Sequence, residues 1–158
     1  MNDRKPEDLT RHAETLELIN NEVTARLAAQ VDSAASIDTK AGILVGYAGA
    51  AASFLATRHA QPVLAALAYI AFGAAAGFGI WAYAIRKVYG AVPKPRRLFT
   101  EYRARPKAEV LAALAATRVM AIESNGTELD LKVKRWWISL GTLSAGMVLM
   151  ISAIAGAH

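Results

Sequence analysis

The sequence predicts an all-α integral membrane protein: a helical bundle of three transmembrane helices with a cytoplasmic helical stalk. Three apolar stretches carry this prediction, namely Ala41–Thr57, Pro62–Ile85 and Trp136–Ala157. An α-helix needs roughly 17–25 mainly apolar residues to cross about 30 Å of hydrocarbon, so all three stretches qualify. None of them contains Asp, Glu, Lys or Arg. A hydrophobic content of 54% over 158 residues indicates one integral unit rather than a soluble domain with a tail.

The charge distribution predicts the orientation. All but one of the 18 Lys and Arg residues lie on one side of the three stretches, the exception being Arg58. All 13 Asp and Glu residues lie on that same side. Cytoplasmic segments next to membrane spans are enriched in Lys and Arg. We therefore expect the N-terminus and the connection between the second and third spans in the cytoplasm, and His158 outside.

Residues 1–40 are predicted to form a cytoplasmic N-terminal helix. Apolar residues recur at spacings of three, four and seven from Leu9 to Ala34, which is the pattern of an apolar stripe on a helix. No Gly or Pro interrupts Glu7–Ala41, so the helix is expected to run unbroken into the first span. The resulting rod would have about fifty residues and a length of roughly 75 Å. Residues 41–85 then form a transmembrane hairpin.

Residues 86–135 are predicted to form a cytoplasmic loop followed by a helical hairpin. Pro93, Pro95 and Pro106 exclude a regular helix through the loop. A helix is predicted over Lys107–Glu123, and Ser124–Thr127 reads as the turn of the hairpin. The return helix leads into the third transmembrane helix, residues 136–158. Its first two residues are both tryptophan, a residue enriched at membrane interfaces.

Small residues on the first span have the spacing of a helix-packing surface. Gly42, Gly46 and Ala50 lie four apart. Without bulky side chains, two helix backbones approach closely and gain contacts that lipid does not provide. Two interpretations are open: ordinary packing within one protomer, or a surface for self-association.

The densest polar group lies where the N-terminal helix meets the first span. It consists of Asp32, Ser36, Asp38, Thr39 and Lys40. Anionic headgroups repel carboxylates at this depth, so the carboxylates need cationic partners or a ligand. One interpretation is an intramolecular belt of salt bridges that fixes the cytoplasmic hairpin against the spans, and the other is a polar pocket between helices. The cations available for a belt are Lys132, Lys134, Arg135, Arg96 and Arg97.

This polar group carries a family resemblance. The run Asp38–Val45 reads DTKAGILV, follows an Asp32-Ser33 pair and leads into a Gly/Ala-rich span. It resembles the transmembrane effectors of Pycsar anti-phage systems, whose signature is a D-T-K-A at the entrance of the first span. The layout is similar along the whole chain, whereas the motif covers about ten residues. No separate β-barrel domain for cyclic nucleotides is expected in a chain of this length.

The resemblance implies a membrane effector of a bacterial anti-phage defence system, located in the inner membrane with a periplasmic C-terminus. Its ligand would be a cyclic pyrimidine mononucleotide, cyclic UMP or cyclic CMP, made by a partner cyclase. Binding would impair membrane integrity and cause abortive infection. A homo-oligomer in the lipid bilayer is expected, since three uncharged spans do not line a water-filled path alone.

A cyclic mononucleotide needs a cation for its phosphate, an aromatic ring for stacking and polar groups for the base edge. The cytoplasmic face offers Arg96, Arg97 and Arg103 for the phosphate, Tyr102 for stacking and Asn21 for the base. The competing interpretation places these arginines at lipid headgroups and the tyrosine in the interfacial aromatic belt.

The alternative function is a small constitutive membrane scaffold or interaction protein without a ligand. An enzyme is not expected, because the sequence has no nucleophile–base pair, metal cluster or Gly-rich phosphate loop. With no cysteine and three scattered histidines, no metal site or cofactor is expected. A nucleic-acid polymer is not an expected partner either, because the basic residues cluster at helix ends that face headgroups.

Overall fold

The computed structural model describes residues 6–84 and 105–157, and the side chains of residues 12–84 and 105–157. Every regular element in these ranges is an α-helix: α1 (Pro6–Ala56), α2 (Pro62–Ala84) and α3 (Lys107–Ala155). All three contain stretches long and apolar enough to cross a membrane. The predicted all-α class with three candidate spans is confirmed. The segment 96–103, with its predicted ligand-binding residues, lies outside the described residues.

Helix α1 is continuous from Pro6 to Ala56, and the predicted absence of a break before the first span is confirmed. It has 51 residues, which corresponds to about 77 Å at 1.5 Å per residue. Pro6 stands at its first position, where the missing N–H is not needed. The absence of Gly and Pro from residues 7–41 leaves nothing to interrupt the helix before its apolar half begins.

A five-residue connection, residues 57–61, joins α1 to α2, and Gln61 caps the second helix. Its side-chain Oε1 accepts a hydrogen bond from the backbone N–H of Leu64 at 2.9 Å. Pro62 then occupies the first helical position. The N–H of Gln61 donates to the carbonyl of Ala153 at 2.9 Å, which ties this turn to the end of α3.

Helix α3 corrects the predicted helical hairpin. It runs without a break for 49 residues, so the predicted turn at Ser124–Thr127 is wrong. Asn125 is 1% exposed and faces inward, and no glycine among the described residues has positive φ. One glycine inside a helix costs only about 1 kcal/mol, and the burial along α3 exceeds that penalty. The third apolar stretch is therefore the last part of a helix that begins at Lys107.

Buried residues recur every seven positions in all three helices. In α1 the two series contain Leu27, Ala34, Ala41, Ala48 and Leu55, and Val23, Leu44 and Ala51. In α3 one series contains Asn125, Lys132, Ser139, Gly146 and Ala153. In α2 the buried residues are Ala68, Phe72, Ala75, Gly79 and Ala82. A strict seven-residue period is typical of helices that wind around each other with a left-handed twist.

The described chain forms two compact units. The first, which we call the charged unit, contains residues 6–32 and 105–127. In it α1 and α3 run parallel, because contacts advance in the same direction along both helices. Lys107 Nζ lies 3.0 Å from Glu17 Oε2, and further along Gln30 Nε2 donates to the carbonyl of Ile122 at 3.2 Å.

The second unit, which we call the apolar unit, contains residues 33–84 and 128–157. Here α2 packs antiparallel to the parallel pair formed by α1 and α3. Its core is built from the apolar members of the seven-residue series, with Phe72 as its largest buried side chain. Ser139 is fully buried and donates a hydrogen bond to the carbonyl of Ala75 at 2.7 Å, which joins α3 to α2.

Two glycines allow the helices of the apolar unit to approach closely. A Cβ at Gly79 would stand 2.9 Å from Val45 Cγ2 of α1 and 3.4 Å from Ser139 Oγ of α3. A Cβ at Gly146 would stand 2.8 Å from the ring of Phe72 in α2. These two positions, rather than Gly42 or Gly46, are where missing side chains permit contact within the chain.

We expect Gly146→Val to destabilise the apolar unit by about 1–3 kcal/mol, because overpacking forces neighbouring side chains to move. The matched control is Gly141→Val, five residues earlier on the same helix, where a Cβ would meet nothing within 4 Å. The stability of both variants is measured by unfolding in detergent with increasing SDS, and the loss of helicity reports the unfolding. Equal stability of the two variants would contradict the packing described at Phe72.

Candidate functional site

The polar motif of the sequence lies along α1 at the beginning of its apolar half. The side chains of Asp32, Ser36 and Thr39 are exposed. The hydroxyl of Thr39 donates to the carbonyl of Ala35 at 3.1 Å and thus stays within its own helix. Only Asp38 turns toward the interior, so the motif divides into one inward carboxylate and several outward groups.

Asp38 pairs with a buried lysine of α3. Lys132 Nζ lies 2.7 Å from Asp38 Oδ1, and the side chains are 2% and 30% exposed, respectively. At this distance Asp38 is the counter-charge of the Lys132 ammonium. Lys132 is one of the cations that the sequence offered for a belt. An ammonium removed from water this completely depends on its carboxylate, because an unpaired buried charge is costly.

Two cations stack on tryptophans beside this pair. Lys40 Nζ lies 5.9 Å from the centre of the Trp136 ring, and the Arg135 guanidinium lies 3.9 Å from the centre of the Trp81 ring. Cation–π contacts of this kind contribute on the order of 0.5–1 kcal/mol where they are exposed. The Lys40 contact joins α1 to α3, and the Arg135 contact joins α3 to α2.

The layer around Asp38 contains two hydrogen-bond donors of α3, Lys132 and Trp136. Lys132 and Trp136 are four residues apart, which places them on one face of α3. The Trp136 Nε1 atom is buried and has no acceptor. Lys132 carries three N–H groups, and Asp38 is the carboxylate beside it. An additional anionic or carbonyl oxygen would satisfy the N–H of Trp136.

The small-residue stripe faces open space in the part of the chain that the structure describes. A Cβ at Gly42 or Gly46 would meet no heavy atom within 4 Å, and Ala50 is exposed. Among the described residues, no other helix lies against Gly42 or Gly46, and both interpretations of the stripe stay predictions. Self-association through Gly42, Gly46 and Ala50 stays a prediction.

The predicted ligand-binding residues are not assembled by the described structure. Asn21 is exposed on α1 in the charged unit. Arg96, Arg97, Tyr102 and Arg103 lie outside the described residues, so their role stays a prediction. Within residues 6–84 and 105–157, no group of three or more His, Asp or Glu residues is placed to hold a metal ion.

Sequence reasoning placed Asn125 in a turn and offered Lys132 only as one of several cations for a belt, whereas both side chains are buried. The signal that identifies them is the seven-residue series Asn125, Lys132 and Ser139, which leads into Gly146 and Ala153. A search for apolar periodicity misses this series, because its first three members are polar.

Comparison with known proteins gave no relative. No family model matches the chain, and no similar curated protein or solved structure was found.

We expect Asp38→Asn to destabilise the protein by on the order of 3 kcal/mol, because it leaves the Lys132 ammonium buried without a counter-charge. Asp32→Asn, the same change at an exposed position, should cost less than about 0.5 kcal/mol. The measurement is unfolding in detergent with increasing SDS.

The double variant Asp38→Leu/Lys132→Met tests whether the instability of Asp38→Asn comes from the unpaired charge of Lys132. A buried ion pair replaced by apolar side chains of similar volume is often neutral or stabilising. We expect the double variant to regain most of the stability lost in Asp38→Asn. If it is as unstable as the single variant, the cost does not come from an unpaired Lys132.

Proposed function

We propose that the chain is an integral protein of the bacterial inner membrane, with three spans, a cytoplasmic N-terminus and a periplasmic C-terminus. The support is the combination of three long apolar helices with the one-sided distribution of Lys and Arg. Large apolar side chains on all three helices face outward from the apolar unit, among them Tyr47, Ile70 and Ile151. Lipid is the solvent that makes this exposure favourable.

A reporter fused after His158 tests this topology. We expect alkaline phosphatase at that position to be active and a cytoplasmic fluorescent reporter to be silent. The same reporters fused before Met1 should give the opposite result. Phosphatase activity at the N-terminus only would contradict the orientation, and activity at neither end would contradict insertion.

Within this topology, we propose that the protein is a membrane effector of an anti-phage defence system. A cyclic pyrimidine mononucleotide from a partner cyclase would activate it, and homo-oligomers would then impair the integrity of the inner membrane. No catalytic step is assigned to this chain. The support is the resemblance of residues 38–45 to the Pycsar transmembrane effectors.

The observation that carries this proposal is that two donors of α3 lie beside the resembling motif. Asp38 and Lys40 belong to the motif, and their partners Lys132 and Trp136 lie on α3. The buried Lys132 ammonium, which Asp38 neutralises, and the Trp136 N–H, which has no acceptor, are donors that a cyclic phosphate could use. The residues of the motif therefore lie beside donors of the kind that an anionic signal requires.

One observation favours the alternative of a constitutive membrane scaffold. Asp38 already neutralises Lys132 at 2.7 Å, so the motif has a structural role without any ligand. The two functions differ in their response to a nucleotide, which makes a direct experiment decisive.

Membrane depolarisation tests the effector function. Liposomes containing the purified chain and loaded with a potential-sensitive dye are treated with cyclic UMP or cyclic CMP. We expect loss of the membrane potential with a cyclic pyrimidine nucleotide and no change with cyclic AMP or without nucleotide. Indifference to every cyclic mononucleotide would leave the scaffold function in its place.

The variant Gly46→Leu tests the oligomeric part of the same proposal. A leucine at this position fits the monomer without an intrachain clash, because Gly46 faces open space. We expect the variant to insert normally but to depolarise poorly, because it separates neighbouring copies. The matched control is Gly73→Leu on α2, which also faces open space and should remain active. Equal activity of both variants would exclude the Gly46 face as a contact between copies.

A further inference from the structure

Arg135 of α3 and Trp81 of α2 lie at the same height in the apolar unit. No Asp, Glu, Lys or Arg follows Arg135 in the sequence. The helix continues from there to Ala155, over about 30 Å at 1.5 Å per residue. From Pro62 to Trp81, α2 covers about 29 Å. Both lengths match the hydrocarbon thickness of a bilayer, so insertion as proposed above brings both side chains to the cytoplasmic headgroups.

The Trp81 ring fixes the position of the Arg135 guanidinium on the outer surface of the unit. The central carbon of the guanidinium lies 3.9 Å from the centre of the ring. Trp81 is 53% exposed, so this contact faces outward. Nη1 of Arg135 donates to the Trp81 carbonyl at 3.5 Å, which is long for a hydrogen bond. The ring thus covers one face of the guanidinium and leaves most of its N–H edge without an acceptor.

The protein supplies little negative charge for this guanidinium. Among residues 12–84 and 105–157, no carboxylate forms an ion pair with Arg135, and Asp38 is engaged by Lys132. The connection 85–104 contains six Lys or Arg residues and a single acidic residue, Glu101, so its own charge is strongly positive. A guanidinium carries five N–H groups. An anion from outside the protein would therefore satisfy both its charge and its donors.

A phospholipid fits this position in both of its parts. The planar fork of an arginine matches two phosphate oxygens, and basic sites between transmembrane helices on the cytoplasmic side bind anionic headgroups. Gly77 and Gly73 lie four and eight positions before Trp81, on the same side of α2. A Cβ at either glycine would meet nothing within 4 Å. An acyl chain can therefore lie along this smooth face, directly below the headgroup.

We propose that Arg135 and Trp81 form a binding site for the phosphate of one anionic phospholipid of the cytoplasmic leaflet. Arg135 binds the phosphate, and Trp81 orients the guanidinium. The site rests on the membrane insertion proposed above and is independent of activation by a nucleotide. A lipid held there adds to the contact between α2 and α3 at the cytoplasmic end of the apolar unit.

Native mass spectrometry of the full chain in detergent tests this site. Phosphatidylglycerol and phosphatidylcholine with the same acyl chains are titrated separately, without nucleotide. Arg135→Gln removes the charge of the site, and the matched control Lys134→Gln removes an exposed charge one residue earlier. We expect the Kd of the first phosphatidylglycerol to rise at least about tenfold in Arg135→Gln and less than about twofold in Lys134→Gln. The Kd of phosphatidylcholine should be the same in both variants.

Trp81→Leu keeps the charge but removes the ring, so we expect a smaller loss of phosphatidylglycerol affinity. Unchanged affinity in this variant overturns the site even if Arg135→Gln does not fold. Equal affinities in Arg135→Gln and Lys134→Gln also overturn it, because the attraction is then diffuse or absent. Displacement of the lipid by millimolar inorganic phosphate would assign the site to a soluble anion and overturn the lipid.

The same preparation separates this site from the proposed function. A chain that stays in solution without detergent contradicts membrane insertion and the lipid site together. A chain that needs detergent but binds both lipids equally contradicts the lipid site alone. A chain that binds phosphatidylglycerol through Arg135 yet ignores cyclic nucleotides removes the effector function and supports the lipid site.

Discussion

The buried pair of Asp38 and Lys132 is the constraint on which the arrangement of the apolar unit depends. Lys132 occupies an interior position of a seven-residue series where an apolar side chain would pack without penalty. Burial of its charge is tolerated only where α1 supplies a carboxylate at the matching height. The pair therefore selects one register of α1 against α3, as single polar residues do in coiled coils. Sliding either helix by a turn would leave both charges unpaired.

Other polar side chains also fix the register of the helices, in both units and each by a different contact. Arg118 bonds to Asn20 and Thr24 in the charged unit. In the apolar unit, Ser139 uses a backbone carbonyl of α2, since a hydroxyl can be buried there without a charge. Purely apolar series would allow several registers of nearly equal energy, because small alanine side chains fit many neighbours. The polar members provide specificity, while the alanines permit close approach.

The sequence predicted most of the fold and little of the site. Uninterrupted apolar periodicity and the absence of Pro predicted α1 correctly, and the uncharged stretches predicted three candidate spans. The turn predicted at Ser124–Thr127 was wrong. The local preference for a turn contributes less free energy than the burial of Asn125 and its neighbours on a long helix. The spacing of Gly42 and Gly46 left two interpretations open, because it shows which residues share a face but not whether another helix lies against that face. The burial of Lys132 was not predicted, because lysine is strongly polar on hydropathy scales and is therefore expected to be exposed.

Asp38 belongs both to the buried pair and to the run on which the proposed effector function rests. Its structural role and its proposed functional role are therefore separated by changing both charges together, because a change of Asp38 alone affects both roles. Removing Asp38 alone leaves Lys132 unpaired, and the resulting instability would abolish any activity, whatever its cause. Removing both charges restores a packed interior but takes away the ammonium that a phosphate would bind. Activity retained in the doubly apolar protein would place the ligand elsewhere. Activity lost while stability is regained would assign Lys132 a role in binding the ligand beyond its role in the fold.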